Sequence, residues 1–164
     1  MDFVLEERVE KARDLFRQGY NCSQSVFLAY GDLLGIDPTL AATVSGPLGG
    51  GMGRLREVCG AVSGMSLIAG FLAPCPDPAE RQAKAATYAL VQQFAERFRD
   101  ENGAIVCREL LGLTCRKEEP VPAERTSEYY KKRPCVELVA CAARIVGEHL
   151  QQENIDSAPS EHEK

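Results

Sequence analysis

Seven cysteines and only two histidines set the chemistry open to this 164-residue chain. Both histidines, His149 and His162, fall in the last sixteen residues. A Cys–His nucleophile pair, a buried imidazole base or a mixed Cys/His zinc site would therefore need that end of the chain. Any metal site in the body must rest mainly on thiolates. Seven in 164 is about 4% cysteine, below the roughly 8–10% of a small disulfide scaffold. The odd count leaves at least one thiol unpaired within a monomer. Neither C-x-x-C nor C-x-x-C-H occurs, which argues against a thioredoxin-type motif, the usual zinc ribbons and covalent c-type haem. Ligands spread from Cys22 to Cys135 mean a site assembled by the tertiary fold.

The elements that must position these thiols read as helices. Leu5 to Arg17 carries Leu5, Val9, Ala12, Leu15 and Phe16 at helical spacing, and Gly19 ends it. Asn21 caps a second helix, with Gln24 in the place of a capping box and an apolar face running to Leu34 before Gly35. Asp37-Pro38 starts a short third helix that ends near Gly46. A fourth runs from about Glu57–Cys59 to Ala73, and its Gly60, Ala61 and Gly64 invite close approach by other groups. Asp77-Pro78 reads as the start of a long helix ending before Asn102-Gly103. A short piece covers Cys107 to Leu111. Residues 112 to 134 read as loop with a turn of helix at Glu124 to Lys131, and the last helix runs from about Cys135 to Gln151. No stretch alternates with period two. The expectation is an all-α, compact single-domain bundle of five or six helices over 1–152, with a polar tail over 153–164.

Four cysteines share one address on this map: Cys22, Cys59, Cys107 and Cys135 each sit at or just before a helix start. Unpaired N–H groups and the positive end of the macrodipole favour a thiolate there, so these four are expected to have lowered pKa. Converging, they would make a pocket of four thiolates, the ligand count of an iron–sulfur cluster or structural zinc. Cys75, Cys115 and Cys141 lack that address. Cys141 lies about 240° round the helix from Cys135 and reads as core, while Cys75 sits in a Pro-flanked loop that would expose it. Gly49-Gly50-Gly51-Met52-Gly53, just upstream of Cys59, is too glycine-rich for a regular element and suits φ > 0 geometries. With Gly60 it is the expected backbone lining of a bound group, through the N–H nests seen around iron–sulfur centres. A phosphate loop fits poorly, because no Gly-Lys-Ser/Thr follows and no strand precedes.

The run Gly19-Tyr20-Asn21-Cys22-Ser23-Gln24-Ser25-Val26, the glycine loop leading to Cys59-Gly60-Ala61-Val62-Ser63-Gly64, then Cys107-Arg108-Glu109-Leu110-Leu111-Gly112 and finally Cys135 resemble the family named for its C_GCAxxG_C_C cysteine pattern. The likeness runs from about residue 8 to residue 148. It implies redox activity carried by Cys22, Cys59, Cys107 and Cys135. The chain also looks like the non-haem part of the split-Soret cytochromes, whose thiolates hold a two-iron cluster, and that similarity implies an iron–sulfur protein. It departs from the basic pattern in Leu55-Arg56 and in the extra Cys75, Cys115 and Cys141, which permit disulfide exchange.

Composition narrows the setting. A hydrophobic share of 45% and a charged share of 26% are those of an ordinary globular protein. The net charge of −5 argues against a nucleic-acid or anionic-membrane surface, and Lys131-Lys132-Arg133 reads as a solvated basic run. Val58 to Pro76 carries no charge, but its glycines, serines and Pro74-Cys75-Pro76 make it a buried helix rather than a membrane span. The acidic start lacks the pattern of an export signal, so a reducing cytoplasm is the expected compartment. Glu57, Glu109 and Glu137, the acids closest to the four cysteines, read as first-turn charges rather than acid–base groups. The redox partner is unknown, and the glycine-rich fourth helix offers a face for a homodimer. The leading expectation is four cysteines holding an iron–sulfur cluster, [2Fe–2S], for electron transfer or sensing. The alternatives are a reversible dithiol/disulfide pair without cofactor, zinc on the thiolates, and a helical interaction module with buried cysteines.

Overall fold

A computed structural model describes residues 2–156 and is all-α. Among them the helices are α1 (Leu5–Arg17), α2 (Cys22–Gly31), α3 (Pro38–Ser45), α4 (Gly60–Leu72), α5 (Arg81–Asn102), α6 (Cys107–Leu110), α7 (Ser127–Lys132) and α8 (Cys135–Asp156). Six have eight or more residues, and α6 and α7 are single turns that bracket an irregular strap. The only extended pairing among the described residues is an isolated antiparallel bridge between Val58 and Val106.

Local chemistry sets the helix starts. Asn21 Oδ1 accepts from Gln24 N and Gln24 Oε1 accepts from Asn21 N, both at 3.0 Å, so the capping box of α2 is complete. Asp37 Oδ1 accepts from Leu40 N at 2.8 Å with Pro38 in the first turn of α3. The second Asp-Pro pair behaves differently. Asp77 Oδ1 accepts from Ala79 N at 2.8 Å and closes a turn of its own, and α5 begins only at Arg81, with Glu80 making no side-chain cap bond. At the other end α8 continues to Asp156, past the expected end near Gln151 and through the 152/153 boundary. The remainder of the expected tail, 157–164, lies outside the described residues.

α4 is the central element, burying Gly60, Ala61, Val62, Gly64, Met65, Ile68 and Ala69. A Cβ on Gly64 would stand 2.9 Å from both Ser23 O and Val26 Cβ, so α2 and α4 meet backbone to backbone only because residue 64 is glycine. α8 packs along α1 and α5 and buries Leu138, Val139, Ile145, Val146 and Leu150. The fully buried Tyr30 donates its hydroxyl hydrogen to Ala143 O at 2.7 Å, locking α2 to α8. Among the described residues no helix is long and apolar enough to cross a membrane.

Candidate thiol site

The starts of α2, α4, α6 and α8 converge at one end of the bundle, where Cys22, Cys59, Cys107 and Cys135 line one cavity of about 350 Å³. Cys22 is the first residue of α2, Cys59 the N-cap of α4, Cys107 the first residue of α6 and Cys135 the first of α8. Cys59, Cys107 and Cys135 are buried and Cys22 is half-buried. The four thiols share the cavity in different ways. Cys22 and Cys135 are in side-chain hydrogen-bond contact. Cys59 and Cys107 are joined through the 58/106 bridge, in which Cys59 N donates to Ile105 O at 2.8 Å and Cys107 N donates to Glu57 O at 2.6 Å. Two-residue alternation along each arm then turns Cys59 and Cys107 to the same side of the bridge.

The glycine loop forms the floor. Gly49, Gly50, Gly51, Gly53 and Gly60 all line the cavity. Gly50, Gly51, Met52, Gly53 and Arg54 take φ of 65°, 67°, 65°, 56° and 66°, and Arg56 takes 59°. The chain therefore coils left-handed here, at a cost of roughly 1–2 kcal/mol for each of the three non-glycine residues. The N–H groups of Leu55, Arg56 and Glu57 donate back to Met52 O, Gly50 O and Gly51 O, which holds the coil closed. A Cβ on Gly51 would stand 2.7 Å from Cys107 Cβ and from Glu57 N, and one on Gly60 would stand 3.0 Å from Cys22 Cβ. Two cavity glycines are thus needed to seat two of the thiols.

Arg56, between the loop and Cys59, is the group that sequence reasoning missed. Its side chain is almost fully buried. Nη1 donates to Cys107 Sγ at 3.5 Å and Nε donates to Glu118 Oε2 at 2.7 Å. Arg54 pairs with the same carboxylate at 3.1 Å and donates from Nε to Glu119 O. Burial works against charge on both Glu118 and Arg56, yet their contact holds Glu118 low and Arg56 firmly protonated. These contacts fasten the strap across the cavity, with Pro120, Pro122 and Ala123 on its inner side. Arg125 fastens its far end, donating to Phe16 O and Tyr20 O at 3.3 Å with its guanidinium 4.3 Å from the Phe16 ring centre. The one signal in the sequence was an arginine embedded beside the glycine loop.

Charge and burial divide the thiols, and helix starts alone do not lower their pKa as expected. The hydrogen bond with Cys135, then burial, pushes Cys22 well up. Burial pushes Cys59 up to about 12 and also raises Cys107, where Arg56 opposes it. Cys135 alone of the four is lowered, to about 7, by the hydrogen bond from Cys22 against burial, with help from Arg133, Arg125 and Arg56. Lys131 and Lys132 are exposed as a solvated run should be, but Arg133 is half-buried and lines the cavity.

The remaining cysteines stand apart from the cavity lining. Cys75 and Cys115 are half-buried in irregular segments. Cys141 is not plain core: it is half-buried against α5, accepting from Asn102 Nδ2 at 3.3 Å and facing Glu101 and Arg144. Glu109 and Glu137 occupy first helical turns as expected, whereas Glu57 precedes α4 and pairs with Arg108 at 2.9 Å. Among the described residues no three Cys, His, Asp or Glu side chains are grouped closely enough to hold one metal ion.

Residues 20–149 match the family model described as "Putative redox-active protein (C_GCAxxG_C_C)". No curated protein and no solved structure matches the chain.

Proposed function

Because the chain belongs to this redox-active family, we propose that Cys22, Cys59, Cys107 and Cys135 hold a [2Fe–2S] cluster and that the protein transfers or senses electrons. One observation carries the reading: four thiols, drawn from four separate helix starts, line one cavity without a carboxylate or imidazole in its lining. An all-thiolate set of soft donors suits iron–sulfur ligation, and a two-iron core takes two thiolates on each metal. The cluster would supply a one-electron couple. The chain's part is to keep water away with the strap, to leave room at Gly51 and Gly60, and to place the Arg56 and Arg133 cations beside the thiolates. Positive groups and hydrogen bonds to sulfur stabilise added negative charge.

Anaerobic purification tests this. The expected result is brown protein with about two iron and two sulfide per chain. Colourless, iron-free protein after anaerobic reconstitution would overturn it.

The contact between Cys22 and Cys135 favours a second reading, a reversible disulfide between these two. The Cys135 thiolate would attack a disulfide of an oxidising partner, and Cys22 would then displace the partner thiol, leaving the Cys22–Cys135 bond and a reduced partner dithiol. Loss of two titratable thiols on mild oxidation, abolished in Cys135→Ser and restored by reductant, would support it in iron-free protein.

A further inference from the structure

Four arginines, Arg54, Arg56, Arg125 and Arg133, line the cavity, and no acidic residue does among the described lining residues, in a chain of net charge −5. Three of the four are committed. Arg54 and Arg56 hold Glu118, and Arg125 spends its donors on the carbonyls of Phe16 and Tyr20. Arg133 is different: it makes no hydrogen bond or ion pair with any described residue, and its guanidinium carbon lies 5.0 Å from the centre of the Tyr129 ring. A guanidinium stacked by its face on a ring keeps its N–H edge free for a planar anion. The same cavity has apolar lining in Phe16, Tyr129, Pro120 and Pro122, with Arg125 over the Phe16 and Tyr129 rings at 4.3 and 4.8 Å. A volume of about 350 Å³ falls within the roughly 300–1,000 Å³ of small-molecule sites.

We propose that this cavity also binds a small organic carboxylate, its anionic end on Arg133 and its apolar body against the Phe16–Tyr129–proline wall. One free guanidinium matches one carboxylate in bidentate fashion. A phosphate would call for further cations that are already engaged, and an inorganic oxyanion would leave the apolar wall unused. The site lies beside the thiols, so a bound carboxylate would share their cavity.

The test uses full-length protein purified anaerobically, with iron and sulfide measured on every sample, and isothermal titration with benzoate, benzamide and sulfate. Benzoate is expected to bind saturably at one site, with benzamide and sulfate at least about tenfold weaker. Arg133→Gln should weaken benzoate by about tenfold or more at unchanged circular dichroism, compared between samples of matched iron content. Arg133→Lys, which keeps the charge but not the fork, should give an intermediate loss and serves should the first variant fold poorly. Benzoate binding that is absent, unchanged in both variants, or matched by benzamide or sulfate would overturn the proposal. Iron content separates this result from the redox reading: colourless protein that binds benzoate removes only the cluster, and brown protein that ignores it removes only the carboxylate site.

Discussion

Cys135 and Cys141 stand on the same helix, six residues apart, and their thiols are driven in opposite directions. Cys135 opens α8 among Cys22, Arg133, Arg125 and Arg56, and is lowered to about 7. Cys141, a turn and a half further on, meets Asn102, Glu101 and Arg144, and burial raises it with the Glu101 carboxylate adding to the effect. Both are removed from water, and burial alone raises any thiol. The difference lies in what surrounds them: a hydrogen bond from Cys22 and nearby arginines on one side, against a notch where Glu101 opposes Asn102 and Arg144. Cys59 makes the same point from the other side. It caps a helix as well as any cysteine in the chain and is still pushed up to about 12, because burial exceeds what its helix end supplies. A helix start places a thiol in this protein; its hydrogen-bond partner, together with neighbouring charge, decides whether that thiol ionises.

The sharpest way to break the comparison is to exchange the two environments' cysteines for serine. Cys59→Ser or Cys135→Ser should abolish iron binding and bleach the protein, while Cys141→Ser should leave metal content and absorbance unchanged. Equal loss from Cys141→Ser would mean that the cavity is not the metal site. Next in size is the cavity floor. Gly51→Ala would add a left-handed residue, costing about 1–2 kcal/mol, and a Cβ 2.7 Å from Cys107 Cβ, with overpacking costing typically about 1–3 kcal/mol more. Gly112 also takes positive φ, at +63°, but a Cβ there meets nothing within 4 Å, so Gly112→Ala should cost only the backbone part. Denaturant midpoints of the two variants measure the difference. A similar cost for both would show that the Gly51–Cys107 contact relaxes freely.

Much of the contrast between these regions was legible in the residues, and some of it was not. The Asn21/Gln24 box, the Asp37-Pro38 start and the four cysteine addresses are local signals, set within three or four positions, and each appears in the fold as the sequence predicts. Glycine density likewise predicts positive φ in the loop. Asp77-Pro78 carried the same local signature but closed a separate turn, because the Asp77 carboxylate reached Ala79 before the helix began. Long-range chemistry left no such trace. Arg56 meets Glu118 sixty-two residues away, and nothing in the strap's composition marks that carboxylate as its partner. Arg133 closes a run of three basic residues whose first two are solvated, and only the approach of Cys135 to the cavity carries it inward.

That buried pair provides the next prediction. Arg56→Met removes the cation from Glu118 and Cys107 together, and leaves a partly exposed carboxylate beside Arg54 alone. A buried ion pair broken on one side costs about 3–5 kcal/mol, and the part-exposure of Glu118, with a side chain 24% accessible, brings this nearer to about 2–3 kcal/mol. Acid should mimic part of it. Glu118 is held below its ordinary value, so its contribution is full above the usual carboxylate range and is lost as pH falls through the lowered value. Thiol alkylation followed across an acid-jump series and quenched at one fixed pH should show the strap loosening in the native chain, and Arg56→Met should be loose already at neutral pH.

The smallest effect separates the two thiols most directly, and it is read in reduced, metal-free protein by mass-spectrometric alkylation rates against pH. Cys135 should react with a midpoint near pH 7 and Cys141 only in alkali. Because the hydrogen bond from Cys22 is the first cause of the lowering, Cys22→Ala should move the Cys135 midpoint up towards the ordinary thiol value near 8.5. The sign carries over to stability. A thiol whose folded value is depressed contributes fully above its unfolded value, about 8.5, and loses that contribution as pH falls through about 7. Taken alone, Cys135 should therefore add stability between those two pH values, against the raised Cys22, Cys59, Cys107 and Cys141, whose contributions are lost as pH rises through about 8.5. On the notch side, Arg144→Gln should raise Cys141 further, since it removes the nearby cation and leaves Glu101 in place. If both thiols instead titrated together near 8.5 in every variant, the charge difference between the two ends of this stretch of α8 would not be what distinguishes them, and burial by itself would have to explain why one faces a cavity of thiols and the other does not.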